Sequence, residues 1–75
     1  MEITSTVGQI VVNGESREVP VDVTIDALLS HLGRDPEMPG VAVAVNDTVV
    51  RRADWTKTML NEGDHVEIIT ASQGG

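Results

Sequence analysis

Apolar and polar residues alternate near the start of the chain, and this alternation predicts a β-strand. In the segment that begins at Val7, Ile10 and Val12 fall on one face of the predicted strand. The dipeptide Asn13-Gly14 follows at once, and it favours a type I′ hairpin turn because both residues tolerate positive φ. A strand followed by a tight turn is therefore expected here.

The second strand of this predicted hairpin is shorter and less apolar than the first. It runs from about Ser16 to Val19 and stops at Pro20, which has no N–H to donate to a neighbouring strand. We therefore expect the strand to end at Pro20 or to lie at a sheet edge.

One segment changes from alternation to helical spacing and predicts a helix from about Ile25 to Leu32. Its apolar stripe consists of Ile25, Leu28, Leu29 and Leu32. Thr24 is the expected N-cap, with its hydroxyl accepting a hydrogen bond from an early backbone N–H of the helix. Gly33 suits the left-handed position that follows a helix end.

The second half of the chain predicts three more strands, separated by turn residues. They are Val41–Val45, Thr48–Val50 and His65–Thr70. In the first of them the valines share one face and the alanines share the other. Residues 34–40, 46–47 and 61–64 carry turn signals, and a helical turn is expected at 53–55.

This order of elements favours an α+β fold in which the helix covers one face of the sheet. A hairpin, a crossing helix and returning strands are compatible with a β-grasp, with a mixed sheet of four to five strands. We expect residues 1–70 to form a single domain and residues 71–75 to form a flexible tail, since the tail has no apolar anchor. Residues 1–6 carry little pattern, and they either fray or lengthen the first strand.

Composition narrows the possible classes of protein. The chain has 75 residues and no cysteine, which excludes disulfides, thiolate metal sites and cysteine nucleophiles. We find neither the pattern of a signal peptide nor an apolar run of membrane-spanning length. A cytoplasmic protein is therefore expected.

The chain is acidic, with a net charge of -7. This charge disfavours binding to nucleic acids and to anionic membranes, because both would be repelled. Solubility alone is one interpretation of it. A partner with a basic docking surface is the other, since complementary charge speeds encounter.

Side chains suited to catalysis are sparse. His31 and His65 have no nucleophile at motif spacing and are interpreted as surface or boundary residues. The carboxylates are scattered, so we expect no metal site and no bound cofactor. Trp55 is the sole aromatic residue, and we interpret it as a core residue with a hydrogen-bonded N–H.

The chain ends on Gly74-Gly75. A terminal remnant without function is one interpretation. A reactive terminus is the other, because glycine leaves the approach to its carboxylate sterically open. A free α-carboxylate is a poor electrophile, but adenylation by ATP would activate it toward a sulfur nucleophile or an amine.

Four segments resemble the ThiS family of sulfur carriers. They are VVNGESREVP, TIDALLSHLG, VAVAVNDTVVRRADW and LNEGDHVEIITASQGG, and the resemblance covers nearly all of the chain from Ile10 onward. The last segment is the most specific, since a Glu-Gly-Asp turn, one strand and a Gly-Gly end form a tight combination. The N-terminus is a few residues longer than is usual for the family.

The resemblance implies a ubiquitin-like β-grasp fold and a carrier that is not itself an enzyme. An E1-like adenylyltransferase of the ThiF type would adenylate Gly75 with ATP and Mg²⁺. A sulfur-relay protein would convert the adenylate to a thiocarboxylate, which a thiazole synthase of the ThiG type would use for the thiazole ring of thiamin. Gly74 would give access and flexibility, and Ser72 and Gln73 would be tail contacts.

A docking surface on the partner-facing side of the sheet can also be predicted. If the valines of the VAVAV segment face the helix, Ala42 and Ala44 face outward. On the last strand, Glu67 and Ile69 should lie beside them. Small and apolar side chains on an open sheet face could dock flat on the E1-like partner.

Other functions remain open on the sequence. Carriers of molybdopterin synthesis also end in Gly-Gly, and carriers of cysteine synthesis are similar. A ubiquitin-like modifier would use the same adenylated terminus to form an amide. A binding or regulatory β-grasp module would be indifferent to its C-terminus, so deletion of Gly75 separates it from the others.

Overall fold

The computed structural model describes residues 7–71 of the chain. This part contains one sheet, one α-helix and one 3₁₀-helix. The strands are β1 (Val7–Val12), β2 (Glu15–Pro20), β3 (Val41–Val45), β4 (Thr48–Val50) and β5 (His65–Thr70). The helix α1 spans Ile25–His31, and the 3₁₀-helix spans Arg52–Lys57.

The five strands form a single mixed sheet in the order β2-β1-β5-β3-β4. The pair β1–β5 is parallel, and the other three pairs are antiparallel. The last strand of the chain therefore lies at the centre of the sheet. The predicted α+β fold, with a mixed sheet and one main helix, is confirmed, and β2 lies at an edge as Pro20 suggested.

The core lies between α1 and the inner face of the sheet. It is built mainly from aliphatic side chains, and the most buried are Ile10, Ile25, Leu28, Leu29, Val43 and Val66. Trp55 is 2% exposed, and its Nε1–H donates to the carbonyl of Val50 at 2.9 Å. The prediction of a core tryptophan with a satisfied N–H is confirmed.

Two hairpin turns place consecutive residues at positive φ. Asn13 and Gly14 have φ of 50° and 84°, and Asn46 and Asp47 have φ of 50° and 70°. Positive φ at both central residues characterises the type I′ turn, whose twist matches that of the flanking strands. The turn predicted at Asn13-Gly14 is confirmed.

The start of α1 corrects one prediction. Thr24 is the N-cap residue, but its hydroxyl makes no hydrogen bond to a helical N–H. The hydroxyl donates to Oδ1 of Asp26 at 2.6 Å instead. The first helical N–H, that of Ile25, donates to the carbonyl of Thr58, because Thr24 pairs with Met59 in an isolated β-bridge.

The end of α1 follows the Schellman pattern. Leu32 is the C-cap, and Gly33 has φ of 79°. The N–H of Gly33 donates to Ser30, and the N–H of Arg34 donates to Leu29 at 2.8 Å. These two bonds satisfy carbonyls that the helix leaves without partners. Gly33 therefore occupies the left-handed position that the sequence predicted.

Two predictions lie outside the described residues. One concerns residues 1–6, and the other concerns the predicted tail at 71–75, of which the structure describes only Ala71. In the part that the structure describes, no helix is long and apolar enough to cross a membrane.

Candidate functional site

The C-terminal end of β5 lies beyond the hairpin formed by β1 and β2. The parallel ladder pairs Val11 with His65 and Val12 with Val66, and β1 then turns away. On its other side, β5 pairs with β3 from Val66, opposite Val45, to Thr70, opposite Val41. The chain therefore leaves the sheet from its central strand, with a paired strand on one side.

The base of the tail is tied to the loop that precedes β3. The N–H of Ala71 donates to the carbonyl of Gly40 at 2.6 Å, which continues the β3–β5 ladder by one position. Arg34 Nη1 lies 3.5 Å from the Thr70 hydroxyl. The predicted site residues Ser72, Gln73, Gly74 and Gly75 lie outside the described residues, so their roles stay predictions.

The outer face of the sheet, opposite α1, carries the residues predicted for docking. Ala42 and Ile69 are directly opposite each other on β3 and β5, and Ala44 is opposite Glu67. Residues paired in this way project from the same face of a sheet. Ile69 is 54% exposed, and Ala42 and Glu67 are exposed as well. The structure thus places all four residues on one face.

The expected exposure is wrong for Ala44, which is only 8% exposed although it does not belong to the core cluster. Its cross-strand partners are Glu67 on β5 and Val49 on β4. Their longer side chains flank the single methyl group, because opposite residues lie about 5 Å apart at Cβ. Ala44 forms the floor of this face and offers little contact surface of its own.

Val49 is a residue of this face that the sequence analysis missed. It is 69% exposed, the largest exposure among the large hydrophobic residues of the described part. Its pairing with Ala44 places it on the same side as Ile69. The strand Thr48–Val50 is too short for alternation alone to assign its faces, so the signal appears only with the sheet register. We call Ala42, Ala44, Val49, Glu67 and Ile69 the outer-face patch.

Few groupings suited to catalysis by side chains occur among the described residues. Between residues 7 and 71, no three His, Cys, Asp or Glu side chains are grouped so as to hold a metal ion. The same range has no buried polar or charged residue. His31 and His65 are exposed, as predicted. The features that remain are the outer-face patch and the chain end that β5 carries.

A comparison with known protein families shows to which family a chain with this arrangement belongs. The model of the ThiS family matches residues 10–75, which includes the whole sheet from Ile10 onward and the terminal Gly-Gly. The chain belongs to the ThiS family. The resemblance predicted from the four sequence segments is therefore confirmed, together with its fold.

Solved and curated proteins resemble this ThiS-family chain over most of its length. The crystal structure of the thiamine biosynthesis protein ThiS from Geobacter metallireducens has a TM-score of 0.75 and 29% identity, over 89% of this chain and 99% of that one. The sulfur carrier protein ThiS of Escherichia coli is 28% identical over 89% of this chain and 98% of its own length.

A third relative is a longer protein. The thiazole synthase of Paramagnetospirillum magneticum is 36% identical over 67 residues, which are 89% of this chain but 20% of that protein. The ThiS-family chain thus spans about one fifth of the length of this curated relative. One segment of that thiazole synthase is therefore similar to this chain.

Proposed function

We propose that the chain is a sulfur carrier whose C-terminal Gly75 carboxylate is converted to a thiocarboxylate for the thiazole ring of thiamin. In this role the chain is a substrate of other enzymes and catalyses nothing itself. The observation that carries the proposal is the extent of the family match, which continues through Gly75. The names of the relatives, a sulfur carrier and a thiazole synthase, support the same pathway.

The proposed chemistry needs only the terminal carboxylate from this chain. One carboxylate oxygen of Gly75 attacks the α-phosphorus of ATP, and pyrophosphate leaves. Hydrosulfide, or its equivalent from a sulfur-relay protein, then attacks the acyl carbon, and AMP leaves with one of the original carboxylate oxygens. Sulfur thereby replaces that oxygen. Mg²⁺ and ATP belong to the activating enzyme in this scheme.

Gly74, Gln73 and Ser72 are proposed to extend from β5 into the active site of the partner. Because Gly74 has no Cβ, the chain can pass through a narrow channel next to the reacting carboxylate. The exit of the chain from the central strand supports this proposal, since Thr70 is held by Val41 in the β-ladder. Ser72 and Gln73 would then contact the channel walls.

The outer-face patch is proposed to dock on the E1-like adenylyltransferase of the ThiF type. Ile69 and Val49 supply exposed apolar surface, and Ala42 lets a partner approach the sheet closely. The predicted tail follows β5 and begins two residues beyond Ile69, so docking would bring Gly75 near the ATP site. The net charge of -7 suits a basic surface on that partner.

A mass measurement tests the proposed reaction. The protein is incubated with ATP, Mg²⁺, the E1-like enzyme and sulfide, beside a variant that lacks Gly75. An increase equal to the mass difference between sulfur and oxygen, absent from the variant, is the expected result. An unchanged mass with an active and binding partner would contradict the carrier function.

A second measurement separates the thiazole pathway from the alternatives. The thiocarboxylate form is added to the ThiG-type thiazole synthase with its other substrates, and thiazole formation is followed. Sulfur transfer is expected, because one segment of a thiazole synthase is similar to this chain. Transfer only to a molybdopterin or cysteine precursor would favour those carriers, and adducts on lysines of other proteins would favour a modifier.

A further inference from the structure

Arg52 holds the loop that lies between α1 and β3. Its guanidinium donates to the carbonyl of Pro36 and to the carbonyl of Met38, the latter at 2.6 Å. The two acceptors are two residues apart in the loop, and one planar guanidinium reaches both. A forked donor of this kind is particular to arginine, because a lysine ammonium lacks its planar geometry.

The Arg52 guanidinium stacks on a side chain of the core. Its central carbon lies 4.5 Å from the centroid of the Trp55 ring, and Trp55 is 2% exposed. Trp55 is fixed in turn by its hydrogen bond to Val50. A cation stacked on a buried ring has less freedom than one in water, so stacking on Trp55 of the same 3₁₀-helix restricts the position of the Arg52 guanidinium.

The same loop ends at the residue that anchors the base of the tail. Gly40 follows Met38 by two positions, has φ of 79°, and accepts the N–H of Ala71. A Cβ added to Gly40 would meet the Cβ of Ala71 at 3.5 Å. Contacts therefore run from Trp55 to Arg52 and from Arg52 to the loop at Pro36 and Met38. At the end of the loop, Gly40 contacts Ala71.

We propose that Arg52 is a positioning residue for the reactive chain end. By fixing the loop at Pro36 and Met38, it fixes the Gly40 carbonyl and hence the point where the chain leaves the sheet. The inference rests on the proposed carrier function. Arg52 lies in the 3₁₀-helix and not in the outer-face patch, so its role is separable from docking.

The test compares Arg52→Gln with Arg51→Gln as a matched control. Arg51 is exposed and adjacent, and its side chain makes no hydrogen bond or ion pair within the described part of the chain. Steady-state adenylation by the E1-like enzyme is followed as pyrophosphate release. For Arg52→Gln we expect kcat to fall about 5-fold with KM for the carrier unchanged, because orientation of the reacting group affects the chemical step. Arg51→Gln should match the wild type.

Hydrogen exchange supplies a readout of the anchor itself. In Arg52→Gln the amide of Ala71 should exchange roughly 5-fold faster, while amides in the middle of the β3–β5 ladder keep their rates. Arg52→Lys should restore part of the loss. A simple loss of global stability would instead speed exchange throughout the ladder and would overturn the proposal.

Four other outcomes are decisive. Wild-type kcat and Ala71 exchange in Arg52→Gln would overturn the positioning role, as would a rise in KM alone. If Arg52→Gln does not fold, Arg52→Lys and Gly40→Ala take its place, and wild-type kcat in both would be equally contrary. If the wild-type protein is never adenylated, the carrier function fails, whereas Ala71 exchange still reports whether Arg52 holds the anchor.

Discussion

The side-chain amide of Asn13 hydrogen-bonds both backbone groups of Ile68. Oδ1 accepts the N–H at 2.8 Å, and Nδ2 donates to the carbonyl at 3.3 Å. Asn13 is the first residue of the β1–β2 turn, and its backbone N–H still donates to the Val66 carbonyl of β5 at 2.9 Å. The side-chain amide then makes the hydrogen bonds to Ile68 that the backbone of a longer β1 would otherwise make.

Asn46 repeats part of this arrangement on the other side of β5. Its Oδ1 accepts the N–H of His65 at 2.9 Å, and its own N–H donates to the His65 carbonyl. Both asparagines thus combine a left-handed backbone with hydrogen bonds to the central strand. This places two hairpin turns against the strand from which the proposed reactive tail continues.

Asn13→Asp is expected to lower the free energy of unfolding by about 1–2 kcal/mol. Aspartate tolerates the positive φ of the turn and keeps an acceptor for the Ile68 N–H, but its second oxygen faces the Ile68 carbonyl with no proton to donate. Urea unfolding measures the change. Asp47→Asn, at the other hairpin turn, serves as the control and should shift stability by less than about 0.5 kcal/mol.

Equal stability of Asn13→Asp and the wild type would show that the amide bonds to Ile68 contribute nothing net. In that case Asn13 would matter only for its backbone conformation.

Local sequence patterns were sufficient to predict most of the fold. Alternation predicted that Ile10 and Val12 share one strand face, and the structure buries that face. Asn13-Gly14 predicted the turn because its φ angles depend on those two residues. The position of Gly33 after the apolar stripe predicted the helix end for the same reason. Each of these features is decided by neighbours in sequence.

The features that escaped prediction depend on residues far apart in the chain. The Asn13–Ile68 pairing spans 55 positions. The burial of Ala44 depends on which side chains stand opposite it on two other strands. Arg52 reaches Pro36 and Met38 only because of the path that their loop takes.

The helix start was predicted incorrectly for a local reason. Thr24 has the sequence of a capping residue, but its hydroxyl donates to Oδ1 of Asp26, two residues further along the chain. The role of Gly75 has a different basis again. It rests on the family resemblance together with the openness of a terminal glycine, and the described residues do not include it.

Trp55→Phe is expected to destabilise the protein by about 1–3 kcal/mol, because the Val50 carbonyl loses its donor and the smaller ring leaves unfilled volume in the core. Thermal or urea unfolding followed by far-ultraviolet circular dichroism measures the change. The nearby Val49→Ala is the control, since Val49 is 69% exposed and its truncation should cost less than about 0.5 kcal/mol. Comparable losses in the two variants would contradict the role assigned to the Trp55 N–H and ring.

Gly33→Ala is expected to cost about 1 kcal/mol through backbone strain alone, because φ is 79° and an added Cβ meets no atom within 4 Å. Gly8→Ala is the matched control. Gly8 has no positive φ, and its added Cβ would meet only Glu62 at 3.8 Å. Urea midpoints should separate the two variants, and a Gly8→Ala loss as large as that of Gly33→Ala would argue against conformational strain as the cause.

Ile69→Asp tests the outer-face patch without disturbing the core. Ile69 is 54% exposed, so we expect the variant to fold with a stability within about 1 kcal/mol of the wild type. A charge in the apolar centre of an interface must be desolvated, so affinity for the E1-like partner should fall at least about 10-fold. Calorimetric titration of the partner measures the affinity.

Val21→Asp is the matched control for that measurement. Val21 is also a β-branched residue, 49% exposed, but it follows the edge strand β2 and lies outside the outer-face patch. Its variant should bind the partner as the wild type does, because the same charge is introduced away from the proposed contact. Wild-type affinity in a folded Ile69→Asp would exclude this face as the docking surface, and an equal loss in both variants would point to the added negative charge alone.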